Sequence, residues 1–416
     1  MLTREENELL TRVEGDAPMG RLMREHYWLP FALSAQLIAD GAPFAARLLG
    51  KDYVAYRATD GRIGFMPERC PHRGASLLLA RNEDNGLRCI FHGWKFDVSG
   101  RVLDVPSQFE NPERFAASVP VRRHPVHEAG GMAWVWLGGG EAPPFPELPF
   151  AGAHDRHSWL TVSVADCNWL QGVEGTLDSV HVGTLHQSYI SRGAKQRGGT
   201  IGLTLMGPPR YEVEPADYGM RAAALRAMQD GSTYVRVSEY FMPFLCLVGS
   251  QRDEDGALFI AVPIDDHHHL MFFGIYSMDA TQRVESKITV TPGEPFDPFN
   301  FATIRGDRSN RWGQDRRLME QGHFTGFASN ILVEDIVVQV SMGPIVDRSD
   351  EYLCASDVAI VRARRLLLDA LRDREAGKPP PGSARSAGPM RMRHPIDAVL
   401  KGGERWQDVK KPDVAA

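Results

Sequence analysis

Four residues in the stretch CPHRGASLLLARNEDNGLRCIFHGW (70–94) carry the clearest chemical signal in the chain. Cys70 and His72 are two apart, Cys89 and His92 are three apart, and 16 residues separate the pairs. Thiolate and imidazole are ligands of zinc and of iron–sulfur clusters. Zinc knuckles usually draw like ligands from one loop, as Cys-x(2–4)-Cys and His-x(3–5)-His. Here each loop supplies one sulfur and one nitrogen. Two metal ions side by side account for that asymmetry, one taking both sulfurs and the other both nitrogens. The object so described is a two-iron two-sulfur cluster whose neutral ligands raise its potential.

A second group lies in NWLQGVEGTLDSVHVGTLH (168–186). At about 100° per residue a helix would put Trp169, Val173, Leu177 and Val180 on one face. Gln171, Glu174, Asp178 and His181 would lie on the other, expected to turn toward a cavity. His181 and His186 are five apart, which on an ideal helix points them about 140° away from each other. Gly183, between them, is the expected place for the helix to loosen so that both can reach one ion. Alone, such a His pair is more often structural or zinc-binding. With a carboxylate it would form the two-His-one-carboxylate triad of non-haem iron(II), which leaves positions open for dioxygen. Spacing does not separate Asp335, Glu334, Asp315 and Asp347 as that carboxylate.

The elements that must hold these groups differ along the chain. Residues 1–35 read as a helical segment, with one helix around Glu5–Arg12 and a second in MGRLMREHYWLP, stopped by Pro30. From 36 to 145 the texture is all-β, with hairpin turns at Thr59-Asp60-Gly61 and Ser99-Gly100, and it ends in the Gly/Pro-rich LGGGEAPPFPELPF. The remainder, 146–416, mixes a helix from Asn168, strands at 233–249, and a hairpin of LFIAVPI with LMFFGIYSM. His267, His268 and His269 are expected in the turn of that hairpin. An amphipathic helix follows at 358–371, capped by Asp357 or Ser356, and the tail from Glu375 reads as an extended arm.

Bulk properties narrow the function classes. The 416 residues, with 43% apolar and 24% charged side chains, describe a folded chain of two or three domains. A net charge of -6 gives no basic field for nucleic acid. No apolar run approaches the roughly 18 residues of a membrane span, and the N-terminus lacks a secretory apolar core, so a cytoplasmic location is expected. Cys167, Cys246 and Cys354 are scattered, which argues against a disulfide framework. There is no G-x-G-x-x-G after a strand, and three spare cysteines cannot make a four-cysteine ferredoxin site.

Taken together, C-P-H-R-G, C-x-x-H-G-W, E-G-x-x-D-x-x-H-x(4)-H and a later Glu-Asp resemble the oxygenase α-subunit of Rieske non-haem iron aromatic-ring-hydroxylating enzymes. The stretch SMGPIVDRSDEYLCASD (341–357) is similar to the phthalate dioxygenase branch. The resemblance implies an α+β chain: an all-β Rieske [2Fe-2S] domain, then a helix-grip (START/Bet v1-like) catalytic domain. It implies Cys70, His72, Cys89 and His92 as cluster ligands, and His181, His186 and Asp335 as ligands of a mononuclear non-haem Fe(II). It also implies that Asp178 bridges His181 to His92 of a neighbouring copy in a homotrimer or stacked hexamer. Electrons would come from an NADH-dependent reductase carrying flavin and a ferredoxin-type cluster. The expected reaction is hydroxylation of an aromatic, carboxylated substrate with O2, phthalate 4,5-dioxygenase-like. Monooxygenation or O-/N-demethylation on the same scaffold is the alternative. For a substrate carboxylate, Arg192, Arg210 and Arg236 are candidate partners. An electron carrier with a ligand-binding domain and a zinc hydrolase are the competing classes.

Overall fold

The computed structural model describes residues 1–153, 158–196, 207–249, 255–277, 296–386 and 390–409. Its first part is built from small antiparallel sheets. Phe44–Leu48, Lys51–Arg57 and Ile63–Pro67 form one, and Arg81–Glu83, Gly86–Arg88, Lys95–Phe96 and Val102–Asp104 form another. Their buried faces meet in a core that contains Val54, Tyr56, Met66, Leu87 and Phe96 together with Cys70 and Cys89. Both expected hairpins are present, with Arg57 opposite Ile63 and Phe96 opposite Val102.

The second part is an eight-stranded antiparallel sheet. Seven strands run in the order Ser158–Ala165, His269–Ser277, Asp255–Pro263, Leu245–Gly249, Thr233–Phe241, Gly219–Ala227 and Arg210–Ala216, and the eighth, Ile396–Leu400, pairs with Thr233–Phe241 off this path. The helices Trp169–Leu177 and Val358–Glu375 pack against this sheet and each other. An all-β iron–sulfur region followed by a large antiparallel sheet gripping helices is the α+β class expected.

Several local expectations are corrected. The second N-terminal helix, Pro18–His26, stops before Pro30, because Trp28–Leu33 is a strand paired with Met132–Trp136. Pro30 sits beside a break in register, where a missing N–H costs no ladder bond. The side chain of Asp357 does not cap the helix that follows; its carboxylate accepts from Cys354 N at 2.7 Å. His269 is not a turn residue. It opens a strand, fully buried, with Nδ1 2.8 Å from the Cys167 carbonyl. The tail is no free arm either: Ile396–Leu400 pairs with Thr233–Val237, and Trp406 is buried beneath the Arg221 guanidinium.

The helix Trp169–Leu177 is positioned by polar clamps. The Asn168 side chain caps it by accepting from Leu170 N, and its amide donates to the carbonyls of Thr11 and Asp266. Gln171 donates to the carbonyls of Gln339 and Gly343. Glu174 accepts from Arg348 at 2.8 Å and Arg364 at 2.7 Å. The polar face of this helix therefore meets protein rather than a cavity at Asn168, Gln171 and Glu174. Glu174→Ala leaves Arg348, whose side chain is 0% exposed, without its carboxylate. The expected loss is about 3–5 kcal/mol of stability. Denaturant unfolding checks it, and a loss under about 1 kcal/mol would contradict the clamp.

Candidate active site

The two cysteine loops fold alike. Cys70 N donates to Ala75 O and Gly74 N to Cys70 O; Cys89 N donates to Trp94 O and Gly93 N to Cys89 O. Both glycines sit at positive φ, +77° and +76°, where a side chain would be strained. This shared hairpin brings His72 and His92 together, with ring centroids 4.6 Å apart. Trp94 is buried and stacks on His72 at 4.6 Å and 7°. Its indole N–H donates to Ser107 Oγ. The two sulfurs are buried at 3% and 2% exposure, and burial together with the neighbouring Cys89 sulfur pushes the Cys70 thiol up to about 11. A thiol raised so far is held as a thiolate by a bound cation, so the donor set suits a metal cluster. Ile90 and Phe91, next to His92, are 60% and 56% exposed, so this edge faces outward.

The second group assembles from the short helix that begins at His181, the turn after it that carries His186, and a distant helix that carries Asp335. The helix Trp169–Leu177 ends at Asp178, whose ψ of 111° breaks it, and not at Gly183. The Asp178 carboxylate accepts from Val180 N at 2.6 Å, a local turn that restarts the chain as the helix His181–Thr184. The wheel drawn through 168–181 therefore loses its phase at Asp178. The helix Ile331–Ser341, capped by Asn330, buries Leu332, Val333, Ile336 and Val337. It presents Asp335 to both histidines: Asp335 Oδ1 is 3.4 Å from His181 Nε2 and 3.0 Å from His186 Nε2. One ligand atom from each of the three residues lies within 4.8 Å of the others.

Behind the ring stand two more carboxylates. Asp178 Oδ2 is 3.4 Å from His181 Nδ1, and Glu334 Oε2 is 2.8 Å from His186 Nδ1. Each imidazole thus turns Nδ1 to a carboxylate and Nε2 to the centre, the orientation of a metal-ligating histidine. Burial lowers the His186 pKa, but Asp335 and Glu334 outweigh it and carry it to about 9. Burial likewise raises Asp335, yet His186 and His181 hold it well below the usual carboxylate range. Protons drawn in so strongly mark a place where a divalent cation fits.

Other candidates separate cleanly. Asp315 caps the helix Arg316–Glu320, and Asp347 accepts from Ser349 N near Arg4, so neither is a rival third ligand. Glu334 is beside His186 but on its far nitrogen. His124 is buried against Tyr53 and His127 stacks on Phe145, both as ordinary packing. Cys167 is a small buried residue.

A cavity of about 180 Å³ opens at the three ligands, walled mainly by Val248, Phe259, Met271, Phe273 and Leu332. Arg236 lines it, donating from Nε to Gly249 O, and among the described residues it has no carboxylate partner. Arg210 does not line this cavity and pairs with Glu212. The Arg192 side chain lies outside the described residues.

Fold and site define a chain with one cluster-bearing domain and one metal-bearing, pocketed domain. Comparison with known proteins gives the same division. Residues 27–120 match the Rieske [2Fe-2S] domain and 135–416 the LigXa C-terminal domain like family. The phthalate 4,5-dioxygenase oxygenase subunit of Pseudomonas putida is 39% identical, over 98% of this chain and 94% of that one. The 3-chlorobenzoate-3,4-dioxygenase oxygenase subunit of Comamonas testosteroni is 35% identical, over 92% of each. The 5,5'-dehydrodivanillate O-demethylase oxygenase subunit of a Sphingobium species is 29% identical, over 97% of this chain and 89% of that one. Among solved structures, an NdmA mutant of Pseudomonas putida CBB5 with caffeine superposes with a TM-score of 0.61 at 18% identity, covering 94% and 100% of the two chains.

The chain belongs to the Rieske non-haem iron ring-hydroxylating oxygenases, as an α subunit of their phthalate dioxygenase-like branch. It is an oxidoreductase whose cofactors are a [2Fe-2S] Rieske cluster and a mononuclear non-haem iron. Among the described residues, no helix is long and apolar enough to cross a membrane.

Proposed function

We propose that this chain is the terminal oxygenase of an NADH-linked system that dihydroxylates a carboxylated aromatic ring, as a phthalate 4,5-dioxygenase does. The supporting observation is Arg236, a cation without a carboxylate partner among the described residues, in a mainly apolar cavity that ends on His181, His186 and Asp335. An apolar wall takes the ring by burial, while the guanidinium takes the carboxylate through charge-assisted hydrogen bonds.

Cys70, Cys89, His72 and His92 hold the cluster, and His181, His186 and Asp335 hold the mononuclear iron. Once bound, these groups supply one-electron storage and open coordination positions for dioxygen. The protein's part is to orient and to exclude water. Phe259 and Phe273 flank the ring, Arg236 fixes which edge points to the ligands, and the carboxylates of Asp178 and Glu334 hold both imidazoles with Nε2 inward. Asp178 keeps 26% of its side chain exposed, enough to accept from His92 of a neighbouring copy in a trimer or stacked hexamer. The outward edge at Ile90–His92 suits that contact. Among the described residues no hydrogen bond or ion pair links His72 or His92 to the iron ligands of the same chain. The chain has no dinucleotide-binding fingerprint of its own. A separate flavin- and ferredoxin-bearing reductase is therefore its electron source.

The test is product analysis under labelled dioxygen with a compatible reductase, over aromatic mono- and dicarboxylates and their methyl ethers. A cis-diol carrying two labelled oxygens from a carboxylate supports this reading. Formaldehyde from the ethers alone would transfer the chain to the demethylase reading. Arg236→Met is expected to raise KM for the carboxylate substrate about 10- to 100-fold, the loss of a charge-assisted bond. An unchanged KM would remove Arg236 from substrate recognition.

A further inference from the structure

We propose that Glu334 is a positioning residue for the mononuclear iron. As a dry, fixed anion behind His186 it sets that imidazole's tautomer and strengthens Nε2 as a donor, and Thr325 locks the carboxylate in place. The inference rests on the reading of His181, His186 and Asp335 as the iron ligands.

Glu334 and Asp335 are adjacent on the helix Ile331–Ser341, so their side chains diverge by about 100°. Asp335 meets both Nε2 atoms, while Glu334 passes behind His186 to Nδ1. The Glu334 side chain is 0% exposed, and among the described residues no Arg or Lys pairs with it. Its other oxygen accepts from the Thr325 hydroxyl in a short contact. The Thr325 oxygen accepts in turn from Phe327 N and lies 3.5 Å from His323 Nδ1, while its shorter contact is with Glu334. Both carboxylate oxygens are thus engaged, one with His186 Nδ1 and the other with the Thr325 hydroxyl.

The turn that carries Thr325 is tied back to the helix Gln187–Gln196, which begins directly after His186. Phe324 N donates to Ser188 Oγ at 2.9 Å, and Tyr189 O–H donates to Phe327 O at 3.2 Å. A closed circuit results, from His186 through Glu334 and Thr325 to the turn and back to Ser188 and Tyr189. Among the described residues His186 is the one titratable cation this buried carboxylate meets, which couples it to whatever His186 binds.

The two iron histidines are therefore held unequally. His186 is anchored at 2.8 Å to a dry carboxylate, whereas His181 faces the partly exposed Asp178 at 3.4 Å. One ligand is fixed inside the protomer, and the other is left toward the surface.

Glu334→Gln keeps the shape and an acceptor for His186 but removes the charge. The experiment strips the mononuclear iron from the full-length protein, leaves the cluster intact, and titrates Fe(II) anaerobically against a competing chelator. The expected result is a Kd about 10- to 100-fold weaker for Glu334→Gln, with the cluster's absorption unchanged and an altered paramagnetic spectrum of the reloaded nitric oxide adduct. Thr325→Val, which leaves Glu334 its charge but not its lock, is expected to shift Kd the same way by less. It carries the test should Glu334→Gln fail to fold. Wild-type affinity and adduct spectrum in the variant tested would overturn the proposal. Failure of the underlying ligand reading shows separately, as a His186→Ala chain that still binds the third iron.

Discussion

Asp335→Ala is expected to purify with its iron–sulfur cluster intact and its third iron gone. Asp335 Oδ1 is the one oxygen within reach of both His181 Nε2 and His186 Nε2, and no other carboxylate faces those nitrogens among the described residues. Glu334 and Asp178 remain, but both are committed to the opposite ring nitrogens. Because loss of a supporting partner alone costs about 10- to 100-fold in metal affinity or activity, loss of a ligand is expected to cost more than about 100-fold in turnover. Iron analysis beside an oxygen-uptake assay checks both halves. A variant that keeps its third iron would hand the ligand role to another carboxylate.

The second large effect is expected at Asp178→Asn, and it separates electron delivery from metal binding. Asparagine makes the same local turn, so the restart of the chain at His181 survives. Its carbonyl can still accept from His181 Nδ1. What disappears is the negative charge that, in the proposed assembly, ties this imidazole to a second one brought by a neighbouring copy. All metal sites should fill normally while steady-state turnover falls about 10- to 100-fold. Reoxidation of the reduced cluster by O2 in the presence of substrate should slow by the same factor. Turnover within about twofold of wild type, with cluster reoxidation unslowed, would deny Asp178 this role.

Residues differ in how far their sequence context reveals them. The proposed cluster ligands are legible because one short loop occurs twice, with its glycine four residues after each cysteine and positive φ in both. The histidines proposed for the iron are legible as a pair, but not the reason they converge. The break falls at Asp178, where a side-chain oxygen captures Val180 N, and a helical wheel drawn through it loses its phase. The same wheel puts Gln171 and Glu174 on the face expected to turn toward a cavity, whereas they meet protein. Their partners, including Arg348, Arg364 and the carbonyls of Gln339 and Gly343, come from distant parts of the chain. His269 and the strand Ile396–Leu400 were obscured for a related reason. Polar or Pro/Gly-rich neighbours signal turns and arms, yet long-range sheet pairing overrides that local preference. Glu334 could be read only as a rival to Asp335. Knowing that the two share a helix, and so point about 100° apart, is what turns the rival into a support.

The most direct check of the central claim is a count of iron and acid-labile sulfide in the anaerobically purified protein. A chain that joins a Rieske cluster at Cys70, His72, Cys89 and His92 to a lone iron at His181, His186 and Asp335 should carry about three irons and two sulfides. Two irons with two sulfides after saturation with Fe(II), or zinc with no sulfide, would contradict it.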